Sequence, residues 1–312
     1  MTVKKAGQMQ GSLTNRKKTR GERGAQMMFT ICASCTILAV ASITIYLVGN
    51  GAPALFEVGV GEILFGTVWA PTAAEPRFGI LYVILTSLLG TAMAILLGVP
   101  IGVLTGVFLA EVAPKRLAAV VKPAVELLAG IPSVIYGLLG VMILNPLMYK
   151  LELALFKDSA THQFTGGANL LSAVLVLAIM ILPTVINMSE TALRAVDPKL
   201  KSASMALGAS HMETIFKVLL PAAKSGILAG IVLGIGRALG EAMAITLVSG
   251  SSVNLPLPFN SVRFLTTAIV SEMGYASDLH RQVLFTIGLI LFIFIMMINI
   301  MLEKVVKKGG RR

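Results

Sequence analysis

An arginine, Arg237, lies inside an apolar stretch of the chain, in the run G-I-G-R-A-L-G-E-A-M-A at 234–244. A charge at the centre of a bilayer costs about 2.5–3.5 kcal/mol, so such a residue normally faces protein or water rather than lipid. Glu241 follows four residues later, and on one helix the two side chains would share a face and form an ion pair. Small residues on that face would let another helix approach closely. They are Gly226, Gly230 and Gly234.

Two interpretations of this pair are open. In the first, the ion pair only stabilises a helix bundle. In the second, Arg237 and Glu241 line a pathway for an oxyanion, because a planar guanidinium binds two oxygens of a phosphate or carboxylate at once, which a lysine cannot do. We favour the pathway, since ionisable residues inside membranes usually have a function.

A second group of polar residues occupies a predicted loop at 190–221. An Asp-Pro pair at 197–198 is a typical helix start, and the pattern predicts short helices at 199–208 and 211–219, ended by Pro221. A short cationic pair of helices outside the bilayer is suited to docking a soluble partner. The alternative is a plain solvated loop.

Motifs for ATP hydrolysis and for metal binding are absent from the sequence. No G-x-x-x-x-G-K-[ST] loop occurs, so the chain is not expected to be an enzyme, and energy must come from a partner or an ion gradient. Cys32 and Cys35 form a C-x-x-C at the start of an apolar stretch, where thiols act as small apolar residues. The histidines are scattered, with no second ligand at a useful spacing: His162, His211 and His280. We predict no metal site and no bound cofactor.

The elements that must position these residues are apolar helices. The chain has 312 residues, of which 56% are hydrophobic and 13% charged, and its mean hydropathy is +0.85. A water-soluble core could not hide so much apolar surface. The absence of apolar/polar alternation argues against a membrane barrel. The composition therefore predicts an all-α integral membrane protein.

Six windows of about 20 apolar residues are long enough to cross about 30 Å of hydrocarbon. They are 28–48, 78–110, 117–147, 170–188, 222–248 and 283–302. The second and third windows exceed one straight span and contain Pro100, Pro123 and Pro132. We therefore expect these two to be tilted, kinked or broken.

The distribution of positive charge predicts the topology. Six spans place both termini on one side, with the segments 1–26, 111–122, 190–224 and 304–312. These segments carry twenty Lys and Arg residues, whereas the opposite loops carry five. By the positive-inside rule both termini are cytoplasmic. The loops outside are 49–77, 148–169 and 249–282. Most of the net charge of +11 follows from this arrangement.

The predicted organisation has five parts. They are a cytoplasmic basic tail (1–27), a first transmembrane helix (28–48), an extracytoplasmic loop (49–77), a domain of five helices (78–302) and a second basic tail (303–312). The first tail lacks interleaved aromatic residues, so no nucleic acid is expected as a partner. The first span has 21 apolar residues, too many for a secretory signal, and indicates an uncleaved anchor.

The loop at 190–221 carries a recognisable spacing. The run S-A-S at 202–204, three residues, a glycine, nine residues and V-x-L-P ending at 221 resembles the E-A-A-x3-G-x9-I-x-L-P loop of type I ABC importer permeases. Ser202 stands where the motif has Glu, so no role of that carboxylate is carried over. The resemblance implies the six-helix fold of that family and an ATPase-coupling loop. The loop residues concerned are Ser202, Ala203, Gly208, Val218, Leu220 and Pro221.

Within that family the sequence resembles phosphate-specific importers, and of their permease subunits the PstC type. The resemblance rests on A-G-I-P-S-V-I-Y-G at 129–137, G-R-A-L-G-E at 236–241, and F-G-I-L at 78–81 followed by T-S-L at 86–88. It implies a heterodimer with a second permease and two ATP-binding subunits that hold the ATP. It also implies an extracytoplasmic phosphate-binding protein, all in the inner membrane of a prokaryote.

The leading prediction is therefore the membrane subunit of an ATP-driven phosphate importer. A permease for sulfate, molybdate or phosphonate is an alternative, because an arginine fork does not distinguish tetrahedral anions. A membrane scaffold or sensor without transport is another. An ion-coupled secondary transporter would need no loop for docking an ATPase, and would show repeated halves.

Overall fold

The computed structural model describes residues 20–159 and 161–309, which are almost entirely helical. A two-residue antiparallel hairpin pairs β1 (Trp69–Ala70) with β2 (Arg77–Phe78). The all-α membrane class is thus confirmed. The first 19 residues of the predicted basic tail lie outside the described residues. The chain divides into two compact units, one as far as Gly49 and one from Asn50 on.

Helix α1 (Arg20–Ala54) contains the first predicted span. It begins within the segment that was predicted as a tail, because residues 20–27 contain no helix-stopping proline. Within the described residues, the first unit consists of this helix as far as Gly49. The predicted boundary between tail and span at residue 28 is therefore not a structural boundary.

The predicted extracytoplasmic loop 49–77 is wrong in its first part, since a π-helical turn (Leu55–Gly59) and α2 (Val60–Phe65) continue the helix. The glycines and proline of this segment suggested a loop, but tertiary packing overrides them, because Ile63 is completely buried. Gly51 permits a close approach: a Cβ there would lie 2.9 Å from the backbone nitrogen of Thr286. The Thr286 hydroxyl donates a hydrogen bond to the Gly51 carbonyl at 2.7 Å.

Five helices of the described chain are long and apolar enough to cross a membrane, and a bent pair adds a sixth. The five are Gly24–Phe65, Leu81–Val112, Ser133–Phe156, Leu170–Arg194 and Asp278–Met301. The bent pair is His211–Ala222 with Lys224–Gly240, at 68°. The six predicted spans each have a counterpart, with corrections to their ends.

The second span is one continuous helix, α3 (Leu81–Val107), extended by a π-helical turn (Phe108–Val112). It packs along α7 (Leu170–Arg194) through glycines that leave no room for side chains. A Cβ on Gly98 would lie 2.7 Å from the side chain of Ile181, and one on Gly102 would lie 2.8 Å from Val185. Pro100 remains inside α3 without breaking it.

The third predicted span, 117–147, is broken into two pieces. Helix α4 (Lys115–Gly130) ends before the extended residue Ile131, and the membrane-spanning run begins after Pro132 with α5 (Ser133–Leu139). It continues through a π-helical turn (Gly140–Leu144) into α6 (Asn145–Phe156). The break follows from Pro132, which lacks a backbone N–H and forces the preceding residue into an extended conformation.

The predicted pair of short helices after α7 is present. Helix α8 (Pro198–Ala206) begins at Asp197, whose side chain accepts a hydrogen bond from the Lys199 nitrogen at 2.9 Å. Helix α9 (His211–Thr214) leads through a π-helical turn (Ile215–Leu219) into α10 (Leu220–Ala222). The chain then bends by 68° into α11 (Lys224–Gly240).

The predicted span 222–248 is not one helix. Helix α11 ends at Gly240, Glu241 is extended, and the short α12 (Met243–Val248) follows. After α13 (Leu265–Glu272), helix α14 (Asp278–Gly309) runs through much of the predicted C-terminal tail 303–312. The first stop signal there is the Gly-Gly pair at 309–310.

The row of small residues predicted on α11 makes the close helix contact that was expected. A Cβ on Gly226 would lie 2.6 Å from Ala192, and one on Gly230 would lie 2.4 Å from Met188. Both partner residues belong to α7, which is thus packed between α3 and α11. The glycine row therefore faces the interior of the bundle.

Candidate functional site

Arg237 lies in the last turn of α11 and is partly buried. Its side chain lines a groove of about 560 Å³ together with Thr184 of α7 and Asn299 of α14. The remaining lining is apolar or glycine: Ala229, Val232, Leu233 and Gly236. Three polar side chains from three helices thus meet in the apolar part of the chain.

The predicted ion pair between Arg237 and Glu241 is not formed. None of the ion pairs among the described residues includes Arg237. The prediction assumed an uninterrupted helix, in which the two residues would be one turn apart. Because α11 ends at Gly240, Glu241 no longer shares a helical face with Arg237.

Glu241 instead stabilises the break. Its carboxylate accepts a hydrogen bond from the backbone nitrogen of Ala244 at 3.1 Å, as a capping residue does at the start of a helix. Its backbone carbonyl accepts a hydrogen bond from the Thr266 hydroxyl at 2.6 Å. The break between α11 and α12 is therefore held by a side chain from α13.

Tyr136 of α5 and Ala238 of α11 belong to the same cluster of buried hydrophobic residues. The Tyr136 hydroxyl donates a hydrogen bond to the carbonyl of Leu128 at 2.7 Å, which bridges the break between α4 and α5. The string 129–137 and the string 236–241 are therefore neighbours in space. Each of them contains a helix break.

The predicted coupling residues occupy two different environments. Ser202, Ala203, Gly208 and Pro221 are exposed, whereas Val218 and Leu220 are half-buried. The Ser202 hydroxyl donates to the carbonyl of Pro198 within its own helix, at 3.2 Å, so it makes no contact of the kind a glutamate would make. Gly208 has a φ of +88°, a left-handed conformation that L-residues rarely adopt.

The exposed tip of this region is apolar. Leu207 is 90% exposed and stands immediately before Gly208, and Met205 and Met212 are also exposed. Sequence reasoning missed Leu207, although a leucine at the turn between two short polar helices is itself a signal. It also missed Thr184 and Asn299. Of these two, only Asn299 could have been noticed, because a side-chain amide is unusual in an apolar span.

Two of the buried carboxylates outside the Arg237 groove bind histidines. Glu152 is fully buried and accepts hydrogen bonds from His162 at 2.8 Å and from the Thr165 backbone nitrogen at 2.9 Å. Glu272 accepts a hydrogen bond from His280 at 2.8 Å and one from the Trp69 indole at 3.1 Å. The described residues hold no group of three or more His, Cys, Asp or Glu residues that could bind a metal ion.

Comparisons with known proteins agree with this architecture. Residues 98–308 match the family described as the binding-protein-dependent transport system inner membrane component. The chain belongs to this family, and within it to the PstC type. It is thus a multi-pass inner-membrane protein and an ABC importer permease, which is incompatible with the ion-coupled secondary transporter considered above.

The relatives cover nearly the whole chain. A probable ABC transporter permease protein, YqgH of Bacillus subtilis, is 38% identical over 283 residues, covering 88% of each chain. The phosphate transport system permease protein PstC of Haemophilus influenzae is 32% identical over 310 residues, covering 95% of this chain and 98% of the relative. The PstC protein of Pasteurella multocida is 36% identical over 265 residues, covering 80% and 82%.

Two solved structures share the fold. A bacterial alginate ABC transporter, in complex with an alginate pentasaccharide-bound periplasmic protein, matches with a TM-score of 0.60 and 16% identity. The match covers 93% of this chain and 96% of that one. The inward-facing MetNI methionine ABC transporter matches with a TM-score of 0.56 and 22% identity, covering 74% and 95%. At these identities the likeness concerns the fold alone.

Proposed function

We propose that this chain is the membrane-spanning permease subunit of an ATP-driven importer of inorganic phosphate, and that Arg237 contacts the anion during passage. The observation that carries the proposal is a guanidinium without an ion-pair partner among the described residues, inside an otherwise apolar groove. An intramembrane charge is expected to be compensated. A tetrahedral oxyanion supplies that compensation through two parallel hydrogen bonds.

The choice of phosphate is supported by the relatives. Several of them, at 31–36% identity, are described as phosphate transport permeases. The groove itself holds no carboxylate that would repel an anion, since its polar side chains are Arg237, Thr184 and Asn299. Permeases for sulfate, molybdate or phosphonate remain alternatives on the chemistry of the arginine.

A second permease subunit would cover the groove. Arg237 is partly exposed and Asn299 exposed on a surface made of apolar spans, and such groups are rarely left facing lipid. In a heterodimer the groove would lie between the two permeases. We assign Glu241 to the same pathway as the residue that holds the helix break beside Arg237, rather than as its ion-pair partner.

The region from Lys199 to Pro221 would dock onto one of two ATP-binding subunits. Its exposed apolar tip, with Leu207 at the turn, is suited to a groove on a soluble protein. It is continuous with α11, which carries Arg237. ATP would therefore be bound and hydrolysed by the partners, and an extracytoplasmic phosphate-binding protein would deliver the anion.

The orientation of the chain follows from its charges, with both termini cytoplasmic. Single cysteines at Ala73 and Lys199, both exposed, report the two sides in a variant without Cys32 and Cys35. A membrane-impermeant thiol reagent should label position 73 in intact cells and position 199 only in opened cells. The reverse pattern would invert the topology.

The function is tested by uptake of labelled phosphate into vesicles that contain the permease, its second permease and the ATP-binding subunits, with the binding protein added. Arg237→Gln should lower ATP-dependent uptake by about tenfold or more, since it removes hydrogen bonds to a charged group. Arg237→Lys should be intermediate, because it keeps the charge and loses the fork. Arg116→Gln, an exposed arginine, serves as the matched control.

Wild-type uptake by Arg237→Gln would overturn the role of this residue. Uptake of sulfate, molybdate or a phosphonate in place of phosphate would favour the other oxyanion permeases. An assembled wild-type complex that moves none of these anions would favour a scaffold or sensor.

A further inference from the structure

Helix α8, the first helix of the proposed coupling loop, buries none of its residues. Apolar packing therefore cannot fix its position, and polar contacts must do so. One of these is local: the hydroxyls of Ser204 and Thr214 lie 2.9 Å apart and connect α8 to the end of α9. This contact holds the two short helices together but does not attach them to the membrane domain.

Helix α8 itself is attached to the membrane domain by an ion pair, whereas the turn that follows α9 is attached by apolar packing, since its Ile215 and Leu219 share one buried cluster with Val107 of the second span. The Lys201 ammonium of α8 lies 2.5 Å from a carboxylate oxygen of Glu111. Glu111 belongs to the π-helical turn Phe108–Val112, which ends the second span, and its side chain is only 12% exposed. The imidazole of His211, the first residue of α9, lies 3.8 Å from the same oxygen.

The same π-helical turn is held a second time from α7. The guanidinium of Arg194 donates a hydrogen bond to the carbonyl of Leu109 at 3.0 Å and another to the Glu190 carboxylate at 2.7 Å. Glu190 is almost fully buried, and it also pairs with Lys122 of α4 at 3.3 Å. The turn is thus fixed on one side to the bundle and on the other to the exposed α8.

We infer that the Lys201–Glu111 pair is a positioning contact that carries the displacement of the coupling loop to the second span. The covalent connections of the loop lead into α7 and α11, and its turn Ile215–Leu219 packs with Val107 near the end of the second span, while this pair joins the exposed α8 to the same span. Helix α3 packs along α7 and also against α11. A movement of α8 would therefore reach the Arg237 groove from two directions, and the two helices that border α7 would move together.

This inference rests on the proposed function, and its test separates the two. The complex is reconstituted with its ATP-binding subunits and binding protein, and phosphate transported per ATP hydrolysed is measured. Glu111→Gln and Lys201→Gln are compared with the charge exchange Glu111→Lys with Lys201→Glu, all in a His211→Gln background. The matched control is Arg116→Gln, which removes an exposed cation of α4 outside the docking region.

Each single variant should retain assembly and basal ATP hydrolysis, respond less to the binding protein and transport about threefold less phosphate per ATP, a coupling change typical of residues between two sites. The charge exchange should recover most of the ratio, and Arg116→Gln should leave it unchanged. A wild-type ratio in both single variants overturns the inference, as does an exchange variant no better than the single ones. Loss of assembly with a normal ratio in the complexes that do form would mean that the pair only stabilises the fold.

Failure of the proposed function has a different signature. The wild-type complex would then hydrolyse ATP in response to the binding protein without accumulating phosphate. In that case the effect of the Lys201–Glu111 pair is measured as the increase in ATP hydrolysis that the binding protein causes. Stimulation equal to wild type in both single variants overturns the inference independently of the transported anion.

Discussion

Gly137 of α5 lies directly against Ala244 of α12: a Cβ on Gly137 would be 2.9 Å from the Ala244 Cα. Each of these short helices begins just after a helix break, at Pro132 and at Glu241. The contact brings the two breaks together near Arg237. It is a contact between backbones, which only glycine at this position permits.

Gly137→Ala should therefore separate α5 from α12. Overpacking of this kind costs typically about 1–3 kcal/mol. We expect a lower thermal unfolding midpoint of the purified subunit in detergent, together with reduced uptake by the complex. Gly130→Ala is the control, because a Cβ there meets nothing within 4 Å. Equal midpoints for the two variants would show that the close approach is not needed.

Gly208 is required for its backbone conformation rather than for close packing. A Cβ at this position would meet nothing within 4 Å, but the φ of +88° is unfavourable for a residue that has a side chain. The left-handed conformation costs an L-residue roughly 1–2 kcal/mol, and asparagine tolerates it best. Gly208→Asn should retain most of the binding-protein-stimulated ATP hydrolysis, and Gly208→Val should lose it. If both variants behave alike, the backbone conformation of this turn is not what matters.

Leu207 should contribute to ATPase docking through its apolar side chain. Leu207→Ser removes the apolar tip without affecting the core, because the side chain is 90% exposed. We expect a several-fold weaker association with the ATP-binding subunits, measured by co-purification at increasing dilution, and an unchanged unfolding midpoint. Leu200→Ser, on the same helix pair and 45% exposed, is the control. Undiminished association of Leu207→Ser would remove the tip from the proposed interface.

The cluster around Glu272 can be observed through Trp69, the single tryptophan of the chain. Glu272 pairs with Arg263 and accepts hydrogen bonds from His280 and Trp69. Glu272→Ala leaves these donors without an acceptor, and loss of one partner of a buried ion pair costs on the order of 3 kcal/mol. We expect a shift of the tryptophan emission maximum and a lower denaturant midpoint. Glu75 is an exposed carboxylate in the hairpin that contains Trp69. Glu75→Ala should therefore change neither the emission maximum nor the denaturant midpoint.

We expect the Tyr275 phenol to lose its proton at a higher pH than an ordinary tyrosine. Desolvation raises the pKa of its phenol above the ordinary value of 10.0, the charge of Glu272 raises it further, and Arg263 opposes the shift. Because the neutral phenol is favoured in the folded state, its stabilising effect is present below pH 10 and is lost as the pH rises above that value. Ultraviolet titration of the five tyrosines should include a late transition whose amplitude falls in Tyr275→Phe. An unaltered titration curve in that variant would contradict the assignment.

The spans could be predicted from the sequence because their length and apolar character are local properties. The break at Pro132 was also within reach, since proline is a local signal. The break at Glu241 was not, because it depends on the Thr266 hydroxyl, 25 residues further along the chain. The helical run through Ile63 was missed for the same reason, since it is packed against residues such as Leu284.

Of the candidate site, Arg237 could be identified because a charge in an apolar span stands out. Its surroundings could not, because Thr184 and Asn299 come from two other helices and have ordinary residue types. The prediction that Glu241 pairs with Arg237 was wrong, because it assumed that the helix continues past Gly240. The proposed coupling loop was predicted from its spacing, whereas its attachment through Glu111 arises only when the second span folds against it.

The π-helical turns have a consequence for how this protein tolerates insertions and deletions. Such a turn holds one residue more than an α-helical turn and absorbs it locally, so removing that residue restores the α-helix while the helix faces on either side stay in register. Deleting one residue within Ile215–Leu219 would thus leave the exposed tip at Leu207 and the side chains of the Arg237 groove facing as they do now, whereas the same deletion in an α-helical turn would rotate everything beyond it by about 100°. Among related permeases, single-residue gaps should therefore collect at these turns.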